Sequence, residues 1–394
     1  MTVTTESTSL RLSGPAGSWD LSACTAPFES AVTLPAVCYT DPAFFAAEVE
    51  TIFRGDWVCI GRADEVPEPG DYACVDMVGE PMVMVRGEDR ALRVFSSVCR
   101  HRSMPVASGA GNARSLVCPY HAWTYDLTGR LVGAPEMGKT PGFDAKSVCL
   151  PEIRHAVWFG FVMVNLDGQA APFAPPLAPL ETRVAHWRLD EMHSVDHYAF
   201  DYPWNWKVMI DNYIECYHHP TIHGKSLEPS MPGRASYFEP EEGPFSIMQM
   251  PYRKGHRPTD PRRPGDDAPR LPLIETLSED ELSRGATLQI LPTLLVSLYP
   301  THMDYYCMFP EDPSRLRLRK SFCVLPEQMA HPDYQAGIEQ TTANYLKYAP
   351  EDFGVCRGLQ SGLSAGLSRP SRYCPMEVGD WRFAKYVAER VTGA

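Results

Sequence analysis

No run of apolar residues in this chain approaches the roughly 20 that a membrane-spanning helix requires. The first thirty residues also lack a basic start, an apolar stretch and a small-residue cleavage site in sequence. The expectation is a cytoplasmic protein that meets no membrane. Basic charge is in the minority, 36 Lys and Arg against 49 Asp and Glu for a net charge of -13, which argues against nonspecific nucleic-acid binding and suits a basic partner or a cationic ligand. No Gly-x-Gly-x-x-Gly opens a helix, so a dinucleotide or flavin fingerprint is missing, and no internal repeat stands out. The twelve cysteines are scattered rather than regularly paired. Of these, Cys24, Cys38, Cys59, Cys74, Cys149, Cys307, Cys323 and Cys374 read as small core residues in a reducing compartment, without disulfides.

What the chain does have is Cys99-Arg100-His101 and, after a gap of sixteen residues, Cys118-Pro119-Tyr120-His121. Two thiolates and two neutral imidazoles held between two loops suit a Rieske 2Fe-2S centre, in which histidines replace cysteines on one iron. A zinc site with two Cys and two His would pair like with like rather than mix both within each loop. After the second loop, Ala122 to Arg130 read as a strand, a Thr-Gly turn and another strand.

A second group of ligand-type residues lies in the run from Trp204 to His223. Its apolar residues keep helical spacing up to Tyr217, and Pro220 then disturbs the helix. Glu215 and His218 stand three apart on one helical face, and His223 comes from the turn that follows. His219 is rotated about 100° from His218 and is the poorer ligand. Two imidazoles need a carboxylate to complete a facial triad that leaves positions open on Fe(II) for O2. The far segment with matching surroundings runs from Glu351 to Leu363. Tyr213, Tyr217, Tyr299, Tyr305 and Tyr306 are candidates for a cation cage, although aromatic residues at such spacings are more often core.

The Cys/His loops and their flanks resemble the Rieske domain of the Rieske non-heme iron oxygenases. Electron-transport Rieske proteins carry an extra disulfide-forming cysteine in each loop, where Met104 and Tyr120 stand here, which favours the oxygenase branch. That family usually has glycine where Ser103 and Ala122 stand, so loop packing is expected to be altered slightly. The run from Asn205 to His223 resembles the family motif Asn-Trp-Lys, then Asp/Glu-Asn, then Asp/Glu-x-x-His-x4-His, in register, and the segment at 351–363 resembles the family's Asp-containing C-terminal helix.

The resemblance implies a 2Fe-2S cluster on Cys99, His101, Cys118 and His121, and iron on His218, His223 and Asp352 with Glu351 as the nearest rival. It further implies O2 as co-substrate, NAD(P)H acting indirectly through a separate reductase or ferredoxin, and a head-to-tail homotrimer. In such a trimer Glu215 would hydrogen-bond a ligand His on one side and a neighbouring subunit's cluster His on the other, bridging electrons. Glu rather than Asp at 215 resembles the subgroup acting on quaternary amines such as carnitine and betaines. The expected reaction is hydroxylation or oxidative demethylation of a small organic substrate, with a quaternary or N-methylated amine favoured over an aromatic ring. A cluster-carrying electron-transfer protein without a substrate is the alternative class, and it would not require the mononuclear triad.

Along the chain, residues 1 to about 30 read as a loose arm and 41–53 as an amphipathic helix with an Asp cap. Short alternating apolar runs from Trp57 to Leu166 read as an antiparallel β domain, followed by a Pro-rich link at 170–179 and a region mixing helices with strands. The fold class is α+β: residues 1–50 form an arm and a helix packing on the catalytic domain, 51–168 the Rieske domain and 169–394 the catalytic domain. By resemblance, this last is a helix-grip fold with an antiparallel sheet. Residues 253–272 read as a long surface loop, a mobile excursion or else a lid or subunit contact.

Overall fold

The computed structural model describes residues 19–240, 243–260 and 268–393. Most of the expected N-terminal arm and the centre of the expected loop at 253–272 lie outside these. Asp41 caps the helix Pro42–Glu48 as its residue type requires, its Oδ1 accepting from Ala43 N at 2.8 Å, with Pro42 in the first turn where a missing N–H costs nothing. The helix Pro42–Glu48 continues into a wider turn, Val49–Phe53, and buries Phe44, Ile52 and Phe53. From its end Glu48 reaches into the second half of the chain, where its Oε1 lies 2.6 Å from Lys207 Nζ with both side chains fully buried.

Ten short strands follow: β1 (Val58–Arg62), β2 (Asp71–Met77), β3 (Glu80–Arg86), β4 (Leu92–Ser96), β5 (Ala110–Asn112), β6 (Leu116–Val117), β7 (Thr124–Tyr125), β8 (Leu131–Gly133), β9 (Arg154–Trp158) and β10 (Phe161–Asn165). They pair antiparallel in three small sheets ordered β4-β3-β2-β5, β6-β7-β8 and β1-β10-β9. The Thr-Gly turn between β7 and β8 needs Gly129, whose φ is 82° and where a Cβ would stand 2.7 Å from the Phe95 ring.

The stretch at 170–179 is more structured than a link, holding a turn at Pro175–Leu177 and opening the helix Ala178–Val184. Beyond it β11 (His193–Tyr202), β12 (Tyr237–Phe238), β13 (Phe245–Pro251), β14 (Arg284–Ile290), β15 (Leu294–Tyr299), β16 (His302–Asp312) and β17 (Arg315–Val324) form one seven-stranded antiparallel sheet, ordered β11-β17-β16-β15-β14-β13-β12. The sheet grips a long helix, Tyr334–Leu363, whose Tyr345 packs on Tyr306 of β16 and on Phe322 of β17. The expected α+β architecture, a small antiparallel β domain with a larger helix-grip domain, is what the structure shows.

A single apolar core runs from β1 and β10 into the large sheet, and Cys59 Sγ of β1 lies 3.2 Å from Cys307 Sγ of β16, both unbridged. The core reading of the cysteines holds for Cys24, Cys38, Cys59, Cys307 and Cys323, whereas Cys74 and Cys374 are half-buried and Cys149 is exposed. Cys149 follows a stretch of isolated one-turn helices, Met137–Lys139 and Ala145–Ser147, which bury none of their own residues.

Candidate active site

The two Cys/His loops are one hairpin built twice. Cys99 N donates to Met104 O at 3.0 Å and Cys118 N to Trp123 O at 2.8 Å, while Ser103 N donates to Cys99 O at 3.1 Å and Ala122 N to Cys118 O at 3.0 Å. This pattern puts Ser103 at φ 58° and Ala122 at φ 55°. Left-handed backbone at a residue with a Cβ costs about 1–2 kcal/mol, so the positions where glycine was expected carry real strain. Cys99 and Cys118 are buried, and the rings of His101 and His121 lie 4.7 Å apart between centroids. Trp123 stacks on His101 at 4.7 Å with 7° between the planes, and Tyr125 Oη lies 3.4 Å from Cys99 Sγ.

His101 Nδ1 is buried and has no hydrogen-bond partner among the described residues. A ring nitrogen in that condition is costly unless something else engages it. Two sulfurs, an unclaimed imidazole nitrogen and a second imidazole fit a 2Fe-2S cluster. Cys99→Ala should therefore lose the cluster's visible absorbance and about two irons per chain while the remaining iron stays bound. An unchanged absorption spectrum would remove Cys99 from the ligand set.

At the second group the expected helix is shorter than its apolar spacing implied, running over Trp206–Tyr213 and not on to Tyr217. The Glu215 carboxylate takes the backbone N–H groups of Tyr217 and His218, the latter at 3.1 Å, in place of helical carbonyls. Pro220, with no N–H to offer, falls in the first turn of a separate short helix, His219–Ile222. Glu215 and His218 thus meet across a turn, where Glu215 Oε1 engages His218 Nδ1.

His218 Nε2 and His223 Nε2 lie 3.4 Å and 2.8 Å from the same atom, Asp352 Oδ1. Each imidazole is engaged on its far side as well. Glu215 takes His218 Nδ1; Glu351 Oε2 lies 2.7 Å from His223 Nδ1 and also accepts from Ser226 Oγ at 2.5 Å. The two rival carboxylates therefore occupy different sides, Asp352 between the converging nitrogens and Glu351 behind His223.

His219, set aside on spacing because it was read as one helix with His218, is drawn in because the helix ends at Tyr213 and a separate one starts at His219. It is buried, its ring lies 5.0 Å from His218 and 5.2 Å from His223, and the three imidazoles each bring a nitrogen within 4.8 Å of the others. Its Nδ1 faces Met231 O at 3.4 Å.

Burial alone disfavours a charged His218, but hydrogen bonds to Asp352 and Glu215 outweigh it and raise its pKa to about 9. The same balance, with Asp352 as the main opposing partner, raises His223. Burial followed by the charges of His218 and His223 pushes His219 down to about 3, leaving it neutral. For Asp352 burial acts upward, yet the hydrogen bonds from His218 and His223 prevail and hold it ionised. Three carboxylates thus surround two imidazoles, and their hydrogen bonds and charges raise the pKa of both rings. That is the donor chemistry of a cation site, and two imidazole nitrogens with one carboxylate oxygen fit a facial triad.

His218, His223 and Asp352 line a cavity of about 70 Å³. Of the five candidate cage tyrosines, Tyr213, Tyr299 and Tyr306 line it. Tyr305 points through the other sheet face, its ring 5.1 Å from that of Phe161, and Tyr217 is exposed. Tyr348, four residues before Asp352 and hence on the same helical face, also lines the cavity, as do Asp304 of β16 and the methionines Met209, Met231, Met248 and Met250. Sequence reading missed Tyr348 and Asp304, although the four-residue spacing from Asp352 was a usable signal for the first. A wider hollow of about 370 Å³ adjoins past Leu227, Met231, Tyr299 and Tyr348, and takes in Tyr252, His256 and Arg270 from the edges of the loop expected at 253–272.

A domain suited to a 2Fe-2S cluster, joined in one chain to a domain with a two-histidine, one-carboxylate site, is the make-up of a Rieske-type oxygenase. Residues 56–146 match the Rieske [2Fe-2S] domain, and residues 189–393 match the ring hydroxylating alpha subunit (catalytic domain). The chain belongs to this ring hydroxylating alpha subunit family.

Among curated relatives, the carnitine monooxygenase oxygenase subunit of Escherichia coli (strain K12) is 37% identical over 199 residues, 50% of this chain and 53% of the relative. The match thus spans about half of that protein's length. The chloroplastic choline monooxygenase of Arabidopsis thaliana is 26% identical over 369 residues, covering 89% of this chain and 81% of the relative. A solved quaternary ammonium Rieske monooxygenase, a structure reported to give insight into carnitine oxidation by gut microbiota and inter-subunit electron transfer, aligns with a TM-score of 0.77 at 25% identity, covering 91% of this chain and 95% of that one. Among the described residues no helix is long and apolar enough to cross a membrane.

Proposed function

We propose that this chain is the oxygenase component of a system that hydroxylates or oxidatively demethylates a quaternary or N-methylated amine, with electrons supplied by a separate reductase or ferredoxin. The observation that carries the reading is the convergence of His218 Nε2 and His223 Nε2 on Asp352 Oδ1 in a tyrosine-walled cavity. On this reading Cys99, His101, Cys118 and His121 hold the 2Fe-2S cluster, and His218, His223 and Asp352 hold Fe(II). When bound, the cluster supplies single electrons and the iron supplies open positions for O2.

The protein's own groups do the positioning. Glu215 and Glu351 each occupy one Nδ1, which fixes both ring orientations and leaves the Nε2 atoms for the metal side. Tyr213, Tyr299, Tyr306 and Tyr348 offer ring surface to a cation. A cation held over such a face in a desolvated site gains on the order of 2 kcal/mol, tens of fold over a neutral isostere. The carnitine and choline relatives support the same substrate class, as does Glu at position 215.

Two exposed surfaces support assembly with further copies of the chain. Met104 and Tyr120, beside the cluster histidines, are 43% and 57% exposed, and Tyr217, beside Glu215, is 58% exposed. In a head-to-tail homotrimer the first surface of one copy meets the second of the next, and Glu215 becomes the bridge for electrons. Residues 51–168 are then the electron-receiving domain and 169–394 the catalytic one, braced by the helix Pro42–Glu48, in a cytoplasmic enzyme.

The test is O2 uptake by the purified protein with a surrogate reductase. Betaine-like compounds should stimulate uptake, with formaldehyde released if the reaction is demethylation. Coupled consumption with an aromatic acid, and none with any cationic amine, would move the assignment to ring hydroxylation.

A further inference from the structure

We propose that Asp304 is the specificity-determining residue for a cationic head group, an inference that rests on the amine reading above. Asp304 stands on β16 with its side chain 3% exposed, yet it lines the cavity and is, among the described residues, the one acid that the sheet contributes there; Glu215 and Asp352 come from other elements. Its cross-strand neighbour on β15 is Ser297, which shares a 2.7 Å hydrogen bond with the Tyr213 hydroxyl of the same cavity. Asp304 therefore sits among the tyrosines that would face a substrate cation.

Next to it lies Lys320 of β17, fully buried, with Nζ 3.0 Å from Asp304 Oδ1. Three rings enclose that ammonium, Tyr306 at 4.7 Å, Phe322 at 4.4 Å and Tyr345 at 4.5 Å from their centroids. That three-ring box is thus occupied by the protein's own cation, and a substrate is left with the ring surfaces that line the cavity. Lys320 is sealed behind rings while Asp304 reaches the cavity wall, so the pair forms a fixed dipole with its negative end toward the substrate. A cation gains from that end, a neutral isostere does not, and an anion is repelled. Stability alone does not account for the pair, because an apolar pair of similar volume commonly stabilises such a site as well or better.

The experiment compares a trimethylammonium compound with its neutral tert-butyl isostere, by calorimetric titration and by stimulation of O2 uptake. The proteins are the metal-loaded wild type, Asp304→Asn, and Asp304→Asn with Lys320→Met. The double variant leaves no unpaired buried charge, and it carries the test if the single variant fails to fold. Wild type should prefer the cation by about 100-fold or more, the tyrosine faces supplying tens of fold and Asp304 about a further 10-fold. Both variants should lose about 10-fold of that preference and keep the part the tyrosine faces supply, with cluster absorbance, iron content and affinity for the neutral compound unchanged. A cation preference kept at the wild-type ratio in the folded variants would overturn the role of Asp304 and leave the amine reading standing. Equal binding of both ligands by the wild type would overturn the amine reading itself, and this inference with it.

Discussion

His218→Ala is expected to empty the mononuclear site and abolish product formation while the cluster's visible absorbance remains. The variant leaves one imidazole and one carboxylate where three donors converged, and it deprives Glu215 of the ring it orients. Loss of a residue that merely orients a ligand already costs about 10- to 100-fold in metal affinity or activity, and loss of a ligand should cost more. His219 is the natural substitute, since its ring nitrogen lies within 4.8 Å of those of the other two histidines. Its Nδ1, however, faces Met231 O at 3.4 Å and its ring is packed in place, so it should not take over. Iron analysis and turnover decide the matter: full iron content and activity in His218→Ala would mean that the ligand set is wrong and that His219 belongs in it.

Glu215→Gln is expected to retain both metal centres and yet lose product formation by about 10- to 100-fold or more. The amide oxygen of Gln can still accept from His218 Nδ1, so the ring keeps its orientation, but the negative charge and one acceptor oxygen disappear. Both matter here, because Glu215 Oε1 engages the ring while Oε2 holds the backbone N–H groups of Tyr217 and His218. In single-turnover experiments the reduced cluster of the variant should fail to reoxidise when substrate and O2 are added. Normal reoxidation would show that Glu215 is a structural prop and that electrons take another route.

How far these sites were readable depended on how locally each is determined. The cluster loops were legible because each hairpin is closed by hydrogen bonds within six residues, so spacing carries nearly all of the geometry; even the strain at Ser103 and Ala122 follows from expecting glycine there. The end of the helix at Tyr213 was not legible, since it turns on one side chain, Glu215, capturing N–H groups that a helix would otherwise pair internally. The choice between Glu351 and Asp352 depends on how a 30-residue helix is rotated about its axis. Its buried stripe of Tyr345, Ala349 and Cys356 passes through Asp352 and not Glu351, a periodicity present in the sequence but not used. Tyr305 and Tyr306 could have been separated by the two-residue period of a strand, which sends one to each face. Asp304 had no such signal, because nothing local distinguishes a lone acid that serves a cavity from one that belongs to an ion pair.

The four methionines of the cavity wall bear on how strictly the site judges shape. Met209, Met231, Met248 and Met250 come from one helix, one loop and one strand, and each has three rotatable bonds and no branch. A space of about 70 Å³ is small for an organic guest, and unbranched thioethers are the side chains of the wall best able to turn aside and enlarge it. Walls of that kind yield at small cost to molecules of different length and girth. A series of homologous guests should therefore be admitted with a gradual rather than abrupt decline, and size exclusion falls to the outer hollow, where Leu227, Tyr299 and Tyr348 stand with Met231 at the boundary between the two spaces.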